Sequence, residues 1–173
     1  PGVGPVTTAI LYALLDLDKA PTPSHFVAYA GYDKSGIDRY SKENRQSGEG
    51  YGGNRFLRTT MFATMGTMQR LAAKNGGEGY GYVRLLKERR ALTDVSDRLV
   101  RERKKNGTIV EIPWKETTKM HRHQDSIRYA AKRFLIHLHA VWSDLEGRPS
   151  SPWISGQNGH SHIDNPRDFG WTW

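Results

Sequence analysis

Apolar positions recur at helical spacing in three long stretches of the chain. Val6, Ile10, Ala13, Leu14 and Leu17 form the first, and Pro5 just before them suits a first helical turn, so a helix is predicted to start there. Asp16, Asp18 and Pro21-Thr-Pro23 close it. Ser24 reads as the N-cap of a short helix carrying Phe26, Val27 and Tyr29–Ala30, ended by Gly31. Asn54 caps the second stripe: Phe56–Leu57, Met61, Met65, Met68 and Leu71–Ala72. Its three methionines read as core packing. Asn75-Gly-Gly-Glu-Gly79 breaks that helix. Residues 80–90 and 93–104 are expected as two basic helices. Lys105-Asn-Gly-Thr108 signals a turn, and Thr108–Trp114 alternates as a short strand or hairpin arm does. The third stripe is Ile127, Ala131, Phe134–Leu135, Leu138, Val141–Trp142 and Leu145, a helix over roughly 121–146 that ends at Gly147-Arg-Pro149. The tail from Ser150 is expected to be irregular, tacked down by Trp153, Trp171 and Trp173. The fold class is therefore mainly α: a helical bundle with a short β-hairpin insertion.

Composition narrows the function classes. The chain has 173 residues, 36% hydrophobic and 25% charged, enough for one core with a small appendage. With no Cys, a disulfide scaffold, a thiolate zinc site and a thiol nucleophile are excluded. No apolar run is long enough to cross a bilayer, so no membrane partner is expected, and nothing reads as a signal peptide. The opening Pro-Gly reads as a piece of a longer protein. The net charge of +8 is concentrated: residues 84–105 hold nine basic and four acidic residues, and 114–137 hold six and two. Clustered cations favour a polyanion, because they release its counterions and steer its approach, although such mixtures also make solvated helix faces.

Two constellations carry candidate chemistry. Gly2-Val-Gly4-Pro5 leads into a helix, where glycines allow close backbone approach and the helix start offers unpaired N–H groups. The turn resembles a helix-hairpin-helix start, which grips a nucleic-acid backbone without reading bases. The second is the long polar stretch 32–53. Ser35, Ser41 and Ser47 stand there among Lys34, Arg39, Lys42 and Arg45, and the stretch feeds Gly53-Asn54-Arg55-x-x-Arg58. Arg55 and Arg58 are three apart on a first helical turn and share a face. A helix start plus two guanidiniums receives a phosphate well, and a serine held beside it has an electrophile to attack. The same residues serve equally as a solvated loop and surface cations.

The order of these parts resembles a known family. Pro-Gly-Val-Gly-Pro-Val-Thr-Thr-Ala, then His25-Phe-Val-Ala-Tyr-Ala-Gly31, then the Ser/Gly loop, then Gly53-Asn-Arg-Phe-Leu-Arg58 resembles the C-terminal Tnp domain of the IS one-ten class transposases, insertion-sequence enzymes described as bridge-RNA-guided recombinases. The likeness runs over residues 1–72 and more loosely over 127–149. It sets residues 1–149 as one domain, 80–120 as an insertion and 150–173 as a tail. It implies DNA transposition and site-specific recombination by a serine that forms a covalent phosphoserine link to DNA. The family's Ser-Ser-Gly-Gly run is missing here. Counting back from Gly53-Asn54, Ser41 falls closest to the expected place, one residue short, with Ser35 and Ser47 as fallbacks. Arg55 and Arg58 would stabilise developing charge, and Gly2, Gly4, Lys42, Arg45 and Asn54 would contact the DNA backbone. The family also has a RuvC-like domain with four acidic metal ligands. Nothing here supplies it: Asp16 and Asp18 are a lone pair at a helix end. No cofactor is therefore expected in this chain, and magnesium only in that other domain. A guide RNA, self-association and a cytoplasmic, nucleoid-associated location follow from the resemblance as well. A non-catalytic helix-hairpin-helix nucleic-acid-binding module and an assembly piece docking an acidic partner stand as rival readings.

The histidines offer less. His121/His123, His137/His139 and His160/His162 are His-x-His pairs, but on a helix residues two apart diverge, so at most one of His137 and His139 is expected to face inward. No metal site is expected from them. Trp142 reads as core.

Overall fold

A computed structural model describes residues 2–32, 53–76, 81–148 and 165–172. In chain order the described elements are α1 (Pro5–Leu14), α2 (Pro23–Tyr29), α3 (Arg55–Lys74), α4 (Gly81–Val95), β1 (Leu99–Arg103), β2 (Ile109–Pro113), a short 3-10 turn (Trp114–Glu116), α5 (Lys119–Leu145) and a second 3-10 turn (Pro166–Phe169). The mainly helical reading holds, with one two-stranded antiparallel sheet.

α5 is the axis of the molecule. It packs on α2, α3 and α4, and its Ile127, Ala130, Ala131, Phe134 and Leu135 join one apolar cluster with α3's Leu57, Met61, Met65 and Met68. The three methionines are buried, as core packing requires. Thr118 caps α5 by accepting from His121 N at 3.2 Å, so the helix starts at Lys119, two residues before the start expected from the sequence. Asn54 caps α3 by accepting from Leu57 N at 3.0 Å.

Both members of the His137/His139 pair are buried, against expectation. Two helical residues are about 200° apart, but α5 is covered on two sides. His137 Nδ1 meets the Tyr82 hydroxyl of α4 at 2.7 Å, while His139 Nε2 donates to Ala20 O at 2.8 Å and its ring packs on Phe26 of α2. Burial holds His139 below the ordinary histidine range, and half-buried His121 is pushed the same way by burial and then by Arg128. Unfolded histidines take up protons near pH 6.5 and these two resist until lower pH, so the unfolded state gains protons first and acid favours it. The urea midpoint is expected to stay flat from pH 8 to 7 and to fall below about pH 6.5, with His139→Gln flattening that fall. An equally steep fall in His139→Gln would remove His139 as a source.

Three expectations fail locally. First, α1 buries Leu11, while Val6 of the expected stripe is 74% exposed. The helix ends at Leu14. Leu15 is extended, so Leu15 and Leu17 both turn inward at strand-like spacing. Second, α2 starts at Pro23 and not after Ser24: a proline at the first position has its φ set and lacks only an N–H the helix would leave unpaired. Third, the expected basic helix over 93–104 is α4's last turn followed by β1. Val100 and Glu102 face inward and pair across to Ile112 and Val110, a partner that no local pattern contains. The Lys105–Thr108 turn signal is right: Lys104 N bonds Thr108 O at 2.8 Å.

Arg122 fastens this region. It is buried, donates from Nε to Asp94 of α4 at 2.6 Å, and reaches the Lys115 carbonyl at 3.1 Å and the Thr117 carbonyl as well. In the tail, Phe169 is buried and Trp171 Nε1 donates to the Tyr82 hydroxyl at 2.7 Å. An indole N–H only donates, so the Tyr82 oxygen is the acceptor of that bond. Trp171 thus pins the tail as expected, while Trp153 and Trp173 lie outside the described residues. Trp142 is half-buried and stacks on exposed Tyr12 at 5.8 Å.

Candidate functional site

The C-terminus of α2 and the N-terminus of α3 are buckled together. The chain passes out of the described residues after Tyr32 and returns at Gly53, and these two ends touch. Asn54 N donates to Tyr29 O at 2.5 Å, and Asn54 Nδ2 to the Tyr29 hydroxyl at 3.0 Å. Gly53 has φ +95°, and a Cβ on it would stand 2.4 Å from Tyr29 O and 2.5 Å from Gly31 N. Glycine is needed there for both reasons. Arg58 Nη1 donates to Gly31 O at 3.3 Å, and its guanidinium lies 5.6 Å from the centre of the Tyr32 ring. The Tyr32 hydroxyl donates back to Arg58 O at 3.2 Å, and burial pushes its pKa far above the ordinary tyrosine value, so it stays protonated.

Arg55 and Arg58 therefore differ. Arg55 is exposed on the first turn of α3, where the helix dipole and N–H groups favour an anion. Arg58 is half-buried and ties α3 to the point where the loop departs. Phe56, expected in the apolar stripe, is 60% exposed beside them. Asn54 has its side chain occupied by the cap and by Tyr29. Ser35, Ser41, Ser47, Lys42 and Arg45 lie outside the described residues. The spacing of charges pointed to Arg55 and Arg58 but missed the clasp of Tyr29, Gly31, Tyr32 and Gly53. The only hint of it was a glycine at each end of the polar stretch.

The opening turn is a separate place. Gly2, at φ +93°, lies so close to Met68 that a Cβ would reach its side chain at 2.4 Å, so this glycine serves contact with α3. A Cβ on Gly4 would meet nothing within 4 Å, and Gly4 precedes α1 without a side-chain cap. Met68 is ten residues beyond Arg58, which sets the two places about 15 Å apart along α3. Asp16 bonds Asp18 N at 2.9 Å and pairs with Lys19 at 3.2 Å, while Asp18 pairs with Arg148 at 2.8 Å. Among the described residues no three His, Asp or Glu side chains gather as a metal site. Nor, among them, is any helix long and apolar enough to cross a membrane.

The clasp and the opening turn both fall within the segment that a family model recognises. Residues 1–79 match the Transposase IS116/IS110/IS902 family. Comparison with curated proteins and with solved structures gave no match. The transposase match spans α1, α2, the polar stretch between residues 32 and 53, and α3. It stops before α4, the hairpin, α5 and the tail, so the looser likeness over 127–149 lies beyond it. By its description that family is one of transposases, and the match covers less than half of the chain.

Proposed function

We propose that this chain is the serine-bearing half of a two-part transposase, which cuts and rejoins DNA strands through a phosphoserine link. The observation that carries the reading is the clasp at Gly53, inside the transposase match. It returns both ends of the serine loop to the helix start that bears Arg55. Ser41 is nine residues from Tyr32, and nine residues span at most about 30 Å, ample to reach Arg55.

In the proposed step, Ser41 Oγ attacks the scissile phosphorus and its proton passes to a base. The Oγ–P bond forms as the bond to one deoxyribose oxygen breaks, and that oxygen leaves as a hydroxyl. An incoming hydroxyl then reverses the step, restoring the serine. The number of ester bonds is unchanged, so rejoining needs no energy source. Arg55 and the first-turn N–H groups meet the charge on the non-bridging oxygens. Arg58 holds the loop's departure point. Lys42, Arg45, the Gly4 end of α1 and α4 contribute backbone contacts. No three His, Asp or Glu side chains gather among the described residues, and no step is routed through a metal here. A RuvC-like partner domain, a guide RNA and self-association belong to the reading on the strength of the resemblance alone.

The test is a covalent trap. The protein carrying both halves is incubated with labelled duplex and denatured, and a protein–DNA adduct surviving denaturation is expected. Phosphoserine should be recovered at Ser41 after digestion. Tight binding without any adduct would instead identify a helix-hairpin-helix binding module.

A further inference from the structure

The β1–β2 hairpin lies beyond the matched residues and has two unlike faces. Its register sets Arg101 opposite Glu111, and alternation puts Val100, Glu102, Val110 and Ile112 on one face and Leu99, Arg101, Arg103, Ile109 and Glu111 on the other. The first face is anchored. Glu102 is buried and accepts from Thr118 N at 3.1 Å, at the start of α5, where the helix dipole favours a carboxylate. Lys115 bonds Asp97 at 2.5 Å across the hairpin's base, and Arg122 holds the carbonyls just after it. The arm is thus rigidly mounted on the helices.

The opposite side is cationic. Arg101 and Arg103 on that face and Lys104 and Lys105 at the turn are all exposed, and Glu111 is the exposed carboxylate among residues 99–113. Arg101 and Arg103 stand about 7 Å apart on one face, with Glu111 across from Arg101, so the face and the turn beyond it keep an excess of positive charge carried by Arg103, Lys104 and Lys105. We propose that this hairpin is a duplex-DNA-binding arm that grips phosphates through Arg101, Arg103, Lys104 and Lys105. A two-stranded ribbon fits the major groove of B-form DNA, whereas the A-form groove of RNA is too deep and narrow for side chains to read. Exposed Leu99 and half-buried Ile109 offer apolar contact to thymine methyls on the same face. The inference rests on the reading above only in taking DNA as the partner, since no strand chemistry is involved.

The test measures binding of the full chain to unrelated duplexes over a salt series. Replacing Arg101, Arg103, Lys104 and Lys105 by Ala is expected to make the slope of log affinity against log salt shallower by about 3 to 4, equally for every sequence. Lys104→Ala with Lys105→Ala, at the turn and remote from packing, should remove about 2 and serves if the fourfold variant misfolds. Lys19→Ala, Arg70→Ala and Lys74→Ala together, which remove charge elsewhere, should leave the slope unchanged. A slope equal to that of the parent overturns the arm while leaving the proposed function standing. A loss seen with RNA duplex and not with DNA also overturns it. A parent chain that binds no duplex overturns both.

Discussion

Ser41→Ala is expected to lower strand cleavage by at least about 10⁴-fold in the protein that carries both halves, with duplex binding unchanged. The hydroxyl supplies the one bond that the mechanism makes, and no neighbouring group can substitute for it without changing the product. Loss of the adduct and loss of cleavage should therefore coincide. In the proposed reading binding belongs to separate groups, namely Arg55, the helix starts and the cationic hairpin, so it should persist. Ser35→Ala and Ser47→Ala are expected to cleave within about tenfold of the parent, since neither supplies the bond. Cleavage at the full rate by Ser41→Ala would sink the assignment, and collapse of Ser35→Ala or Ser47→Ala in its place would transfer the role.

Gly53→Ala is expected to be the most damaging alanine replacement of a glycine among the described residues. Two costs combine. A φ of +95° is strained for a residue with a Cβ, about 1–2 kcal/mol. The new atom would also sit against the Tyr29 carbonyl and the Gly31 amide, which are backbone and cannot rotate away. The sum is about 3 kcal/mol or more, a fall in melting temperature of roughly 6–12 °C. Gly76→Ala separates the two costs: its φ is +83° but nothing lies within 4 Å, so it should lose only the first part. If Gly53→Ala melts no lower than Gly76→Ala, the clasp does not exist as described. Cleavage should fall with the clasp, because the loop's two ends would no longer be held at α3.

Much of this molecule was legible before any coordinates. Asn54 as a cap, the buried methionines of α3, the Lys105–Thr108 turn and the stripe of α5 each express a rule that acts within a few residues. So did Arg55 and Arg58 as neighbours on one turn. What was misread depended on partners distant in sequence. Leu99–Arg103 has a charge pattern that suits a basic helix as well as a strand, and pairing with Ile109–Pro113 decides between them. Phe56 fits the apolar stripe of α3, but no neighbouring element among the described residues covers it.

The sequence by itself determined a mainly helical chain, both ends of α3, the concentration of positive charge, and likeness to transposases over its first part. Those follow from backbone hydrogen bonding at helix ends, from hydrophobic periodicity and from composition, all of which are local or summed. Only the tertiary structure decided that His137 and His139 are both interior, that Arg58 is spent on a clasp while Arg55 faces solvent, and that residues 99–113 form an arm with one anchored and one cationic face. The reason is geometric: periodicity reports that a residue prefers cover, and only the packing of distant segments supplies it.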